Sequence, residues 1–228
     1  KLRMLSPIEL RKSQMPETAI AFEGSQSSST AMIDKTVSTK RSDDEQVRAL
    51  MDNDWVKTSD QQNPAALDLA SQIIRDNIYC TLSTCSPDSW PWASPVFFTY
   101  DSALNFYWSS AIAAKHSQNI YLNQGRVAIT IYGTHLGEGK GKGVYLSGLA
   151  QELDPAHVNT VMQSLFKRAG GAPPRRTQDD YLGASPRRIY SFQPQAAWVT
   201  GERLALGNQL IDIKVQLDLA SLIATVDA

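Results

Sequence analysis

Residues 78–100 read IYCTLSTCSPDSWPWASPVFFTY. Two runs in this stretch, Ile78 to Thr84 and Ala93 to Tyr100, are rich in β-branched and aromatic residues, and Ser86, Pro87, Asp88 and Ser89 form a turn signal between them. Such side chains fit a pleated surface, and a short turn joins only antiparallel neighbours, so the segment predicts a β-hairpin. The reading extends outward from there. Leu104 to Ser109 supplies a third strand, Ala113 to Leu122 a short helix ended by Asn123 and Gly125, and Val127, Ile129 and Ile131 alternate as in a half-buried strand. A further strand, Val144 to Leu153, follows a glycine-rich turn.

Upstream, Asn63 and Pro64 are a capping residue and a first-turn proline, followed by Leu67, Ala70, Ile73 and Ile74 at helical spacing. Downstream, Asp154 and Pro155 open a helix whose stripe is Val158, Val161, Met162, Leu165 and Phe166, closed by Gly170. Residues 170–187 read as a loop and Arg188 to Val199 as a strand. The alternation over Leu210 to Leu217 is compatible with a strand or a helix. About six strands joined by short turns, with three helices, predict a mainly β (α+β) domain: an antiparallel barrel with flanking helices.

The expected organisation is an N-terminal extension over residues 1–60, the barrel over 61–203 and a C-terminal strand or tail over 204–228. The extension contains a polar run, Ser25 to Thr30, and few periodic apolar residues, so it is expected to be partly disordered or to order only against a partner or a second subunit. Ser6, Pro7 and Glu9 within it match a helix start.

The 228-residue chain carries 42% hydrophobic and 20% charged residues, an ordinary globular composition. A net charge of −1 and a pI near 6.3 argue against nucleic acid and anionic membranes as partners. No apolar run reaches the length of a membrane span, and the amino terminus shows no signal-peptide pattern, although it begins with lysine. Cys80 and Cys85, five apart on one strand, point to opposite faces, which predicts two buried free thiols and a cytoplasmic location.

The densest chemistry lies in Leu104 to Ser110 followed by Lys115 and His116. A strand here delivers hydroxyls and a lysine to a helix amino terminus, where free N–H groups and the helix dipole favour an anion. A serine cap with a solvated lysine is the alternative. Gly133 to Gly143 superficially resembles a phosphate loop but lacks the following serine or threonine and helix, so it reads as a hairpin tip or lid. His116, His135 and His157 share no metal-ligand spacing. Arg175, Arg176, Arg187 and Arg188 form a basic cluster suited to an anionic substrate or to a solvated surface.

Across about 125 residues the order of these features resembles the FMN-binding split-barrel family related to pyridoxamine 5′-phosphate oxidase. The resemblance rests on Ile78 to Thr84 with its turn, Trp92 to Thr99, Phe106 to Ser110 before Lys115, Gly125 to Ile131, and Val144 to Gly148. It implies a split barrel and a homodimer with FMN at the subunit interface. It also implies a flavin-dependent oxidoreductase acting on a small-molecule substrate; a non-catalytic flavin, deazaflavin or haem-binding protein is the alternative. By the same resemblance, Ser94 and Val96 flank the flavin and Trp108 and Ser109 contribute next. Lys115 binds the phosphate, supported by Ser110 and His116, and Trp198 approaches across the dimer. Ser94 and Ala114 stand where the family often has arginine, and Gly143 where it often has glutamine. Arg203 falls one position short of the oxidase's substrate-binding arginine.

Overall fold

The computed structural model describes residues 56–57, 60–171 and 176–226, all within the compact unit Ala49–Ala228. Of the expected extension, the described residues contain the two-residue strand β1 (Val56–Lys57) and the approach to the first helix from residue 60; the helix start at Ser6 and the polar run lie outside them.

Helix α1 (Pro64–Asp76) begins where its cap demands: the Asn63 side chain accepts the Ala66 N–H at 3.2 Å, and proline occupies the first turn. Its stripe Leu67, Ala70 and Ile74 is buried. Arg168 closes its other end. The guanidinium donates from Nη2 to the carbonyls of Ile74 and Asn77 at 2.9 and 2.7 Å, and lies over the Phe98 and Tyr100 rings at 4.8 and 4.9 Å. These carbonyls include ones that a helix end leaves without an internal donor.

The hairpin follows as β2 (Tyr79–Cys85) and β3 (Pro91–Phe97), then β4 (Thr99–Tyr100), β5 (Phe106–Ala111), α2 (Lys115–Leu122), β6 (Arg126–Tyr132) and β7 (Gly143–Glu152). A 3₁₀ turn, Pro155–His157, leads into α3 (Val158–Arg168). The fourteen-residue β8 (Arg187–Thr200) is followed by the small hairpin β9 (Leu204–Leu206) and β10 (Gln209–Ile211), then β11 (Lys214–Leu217) and α4 (Leu219–Val226).

Pairing runs β5-β8-β7-β6-β2-β3, antiparallel throughout, with β4 beside β5 and β11 beside the second half of β8. One long strand therefore serves β5 with its first half and β11 with its second. The sheet curls into a half-barrel, and no ladder joins β3 to β5 among the described residues. That gap is the split. The curl needs a defect in β8: Ser147 opposes Ala196 but Gly148 opposes Pro194, leaving Gln195 as an extra residue. At Gly148 a Cβ would lie 2.1 Å from the Gln193 carbonyl oxygen, so the close backbone approach at this bulge excludes a side chain.

The core row Leu82, Ile129, Leu146, Ala197 and Leu217 runs across the inner face, together with Phe98, Phe106, Trp108, Tyr190 and Phe192. A second cluster, Leu153, Val158, Val161, Met162, Leu165, Phe166, Tyr181 and Ile189, lies where α3 covers the outer face of β5 and β8.

Three expectations need adjustment. The second hairpin strand starts at Pro91 and stops at Phe97, because Phe98 turns into the core with its N–H on the Ile78 carbonyl. Cys80 is buried, but Cys85 is only half-buried, since the inward face of β2 is the even-numbered one. The tail is neither a single strand nor a single helix: a hairpin, a strand and α4 divide it, and Asp218 caps α4 by accepting from Ser221 N–H and Oγ.

Candidate functional site

β3 carries Ser94 and Val96 on its inner face, β5 carries Trp108 and Ser110 on its inner face, and α2 starts at Lys115 four residues after β5 ends. At this point the split is bridged by one side chain. His116 Nε2 lies 2.6 Å from Ser110 Oγ and its Nδ1 lies 3.1 Å from Ser94 Oγ, so the imidazole joins β5 to β3 across the gap. Trp92 Nε1 donates to Ser94 Oγ at 2.9 Å and fixes the far end of the chain. The ring is 8% exposed, and its burial pushes the imidazole below its ordinary pKa, which keeps it neutral and leaves one nitrogen as donor and the other as acceptor.

Lys115 is exposed as the first residue of α2, and Ala114 before it gives the helix no side-chain cap. No side chain caps the first-turn N–H groups, and the Lys115 ammonium beside them is within electrostatic reach of the Asp88 carboxylate. A phosphate fits this donor set: charged, compact and rich in acceptors.

The structure brings together Ser94, Ser110, Lys115 and His116. It separates the others. Trp108 is fully buried, stacked on Tyr190 at 5.9 Å and 14°, and Val96 is 8% exposed within the same core. Ser109 points to the opposite face of β5, toward the side covered by α3. Trp198 lies on the outer face of β8, in register with Tyr145 of β7 and Gln216 of β11. Of the basic cluster, Arg188 is committed to Glu152 and to the carbonyls of Ser185, Arg187 and Gly183, and Arg187 opposes Ala111 at the end of β5. Arg175 is outside the described residues. The Gly133 to Gly143 segment joins β6 to β7 as a hairpin connection.

Two features were missed in the sequence. Trp92 sits two residues before Ser94 on the same face of β3, so strand periodicity alone could have linked them. The Tyr121, Tyr190 and Glu152 hydrogen-bond cluster joins α2, β8 and β7, and only the tertiary register brings these residues together.

The outer face of the sheet is free of charge along two rows. Register places Ala93, Ser83, Ala128, Ser147 and Ala196 side by side, and next to them Pro95, Thr81, Thr130, Tyr145 and Trp198. Among the described residues no helix is long and apolar enough to cross a membrane.

A family model described as pyridoxamine 5′-phosphate oxidase matches residues 67–201. Among solved structures, the heme binding protein from Mycobacterium smegmatis superposes with a TM-score of 0.51 at 16% identity, over 71% of this chain and 61% of its own. A protein of unknown function from Agrobacterium tumefaciens gives a TM-score of 0.51 at 16% identity, over 65% of this chain and 62% of its own. The chain thus spans about three fifths of the length of each, and both likenesses concern the fold. No curated protein matches the sequence.

Proposed function

The chain belongs to the pyridoxamine 5′-phosphate oxidase family, and we propose that it is a flavin-dependent oxidoreductase that holds FMN at the split between β3 and β5 and acts on a small-molecule substrate. The observation that carries this reading is the uncapped start of α2, where Lys115 stands beside the Ser94, His116 and Ser110 bridge. Lys115 and the first-turn N–H groups hold the phosphate. The neutral His116 keeps Ser94 and Ser110 in place, and at Ser94, where relatives often use arginine, hydrogen bonding substitutes for charge. FMN when bound supplies hydride or one-electron transfer, which no side chain of the site provides. The protein's share is to bind and orient the ring and to regulate the access of water.

The reading includes a homodimer. The two rows of the outer face carry no charged residue of their own and include Trp198 and Tyr145, and they form the surface on which a second copy would pack, with Lys214 over the Tyr145 ring at its border. It also includes a cytoplasmic location, supported by two cysteines without a disulfide.

Flavin and riboflavin titrations of the full chain test this directly. Lys115→Ala removes one charged hydrogen-bond partner of the phosphate, about 1.5–3 kcal/mol, so FMN affinity falls roughly 10- to 150-fold. Riboflavin affinity stays as it was. Equal loss for both ligands would place the phosphate elsewhere. The heme binding neighbour suggests a second reading, since His116 is the histidine buried at the split. Both of its nitrogens are engaged by serines, so an iron would first have to break one of those bonds. A visible spectrum after incubation with each cofactor separates the two.

A further inference from the structure

The hydrogen bonds that bridge the split have a direction. Trp92 Nε1, Ser94 Oγ, the His116 imidazole and Ser110 Oγ form one line of contacts, with lengths of 2.9, 3.1 and 2.6 Å. The first is fixed by chemistry, because an indole N–H donates and cannot accept. The other two follow from their lengths: nitrogen donors sit about 2.7–3.2 Å from an oxygen acceptor, and hydroxyl donors reach about 2.5–3.0 Å. The 2.6 Å contact is short for an imidazole N–H and fits a Ser110 hydroxyl that donates to Nε2. The 3.1 Å contact is long for a hydroxyl donor and fits Nδ1–H donating to Ser94 Oγ. The two assignments agree with each other, since a neutral imidazole has one donor and one acceptor nitrogen.

Ser94 Oγ therefore receives two N–H donors, one from Trp92 on its own strand and one from His116 across the gap. A hydroxyl oxygen has two lone pairs and one proton, so both acceptor positions are filled and only the proton remains. Among the described residues Ser94 Oγ has no further partner, and Ser94 is half-buried on the inner face of β3, so that proton stays available at the gap. Two donors on one oxygen also polarise its O–H bond and strengthen it as a donor. Ser110 is the reverse: its proton is spent on the imidazole and its oxygen keeps room to accept. The two serines of the bridge are thus not equivalent.

We propose that Trp92 is a positioning residue which, with His116 in its Nδ1–H form, makes Ser94 a one-way donor, so that the split accepts an acceptor-only group such as a phosphate oxygen and rejects an ammonium or amide N–H at that point. The proposal rests on the flavin reading for the identity of the ligand. An indole suits this role because it cannot reverse. Without a fixed donor at that end, Ser94 is free to turn and donate to Nδ1, and the imidazole reverts to the Nε2–H form that a solvated neutral histidine favours. Trp92 acts on the ligand through Ser94.

The tautomer is read by long-range proton–nitrogen correlation NMR on the nitrogen-labelled, ligand-free full chain at pH 7.5, with His116→Gln identifying the signal. The wild type is expected to show a protonated Nδ1 and a bare Nε2; the reverse pattern overturns the proposal. Trp92→Phe keeps an aromatic ring at a position 46% exposed and removes the indole N–H. In this variant the Nε2–H form is expected to appear, and FMN affinity to fall about three- to tenfold with riboflavin affinity unchanged. Trp90→Phe, at the neighbouring exposed indole, is expected to change neither. A Trp92→Phe chain that keeps the wild-type tautomer, or one whose FMN and riboflavin affinities fall together, overturns the role of Trp92 and leaves the flavin site standing. A wild type that shows the Nδ1–H form but binds no FMN overturns the flavin reading and leaves the one-way donor in place.

Discussion

Replacing His116 has a cost that can be worked from its surroundings. His116→Ala removes two side-chain hydrogen bonds, at 2.6 and 3.1 Å, each worth about 1 kcal/mol net. The imidazole is 8% exposed, so its removal also leaves a void worth about 1–2 kcal/mol. The sum is about 3–4 kcal/mol. His116→Gln keeps volume and one hydrogen bond, and should cost about half as much, but it removes the titration. Burial lowers the folded imidazole below the value of 6.5 that it has in the unfolded chain. Between the folded value and 6.5 the unfolded chain binds a proton that the folded one does not, so this contribution is complete above pH 6.5 and is lost as the pH falls below it. The slope in that window is up to about 1.4 kcal/mol per pH unit. Urea unfolding of the full chain at pH 7.5 and 5.5 measures it. The stability gap between wild type and His116→Gln should be larger at pH 7.5 and narrow at pH 5.5, and because His135 and His157 are exposed in both proteins their effects cancel. A gap of the same size at both values would refute the assignment of His116 as the buried neutral bridge.

Two further outcomes can be checked with the same material. Arg168→Met keeps the aliphatic stem but removes the charged hydrogen bonds to the Ile74, Arg75 and Asn77 carbonyls at the end of α1 and the contacts over Phe98 and Tyr100; a loss of about 3–5 kcal/mol is expected in urea unfolding, with Arg168→Lys recovering only part of it. Cys80 is 3% exposed and its thiol is pushed up to about 12 by burial, so a disulfide reagent should label Cys85 alone in the native chain and both cysteines in urea.

Much of the barrel can be read in the sequence because its strands alternate and its turns use characteristic residues. The boundaries of β6 and β7 fall within one or two residues of expectation, since Val127, Ile129 and Ile131 are inward on a half-buried strand. Where reading failed, a tertiary contact overrode the local pattern. Phe98 interrupts an otherwise continuous apolar run because the core takes its side chain and Ile78 takes its N–H. α4 was missed although Leu219, Leu222, Ile223 and Val226 follow Asp218 at helical spacing, because the preceding alternation dominated the tail. The site was legible as an anion position at Lys115. The bridge was not, because joining Ser94 to Ser110 through His116 depends on two strands that share no ladder and meet only in three dimensions.

The split itself has a consequence for solubility. Strand β3 pairs with β2 alone among the described residues, so its other edge carries backbone groups that could recruit a strand from another molecule. A proline inside a paired strand is tolerated only where its nitrogen points away from the ladder. Pro91 and Pro95, four residues apart on β3, therefore turn toward the open edge and remove two donors that an incoming strand would need. The open edge of the split is thus protected against fibrous self-association by two residues of its own strand.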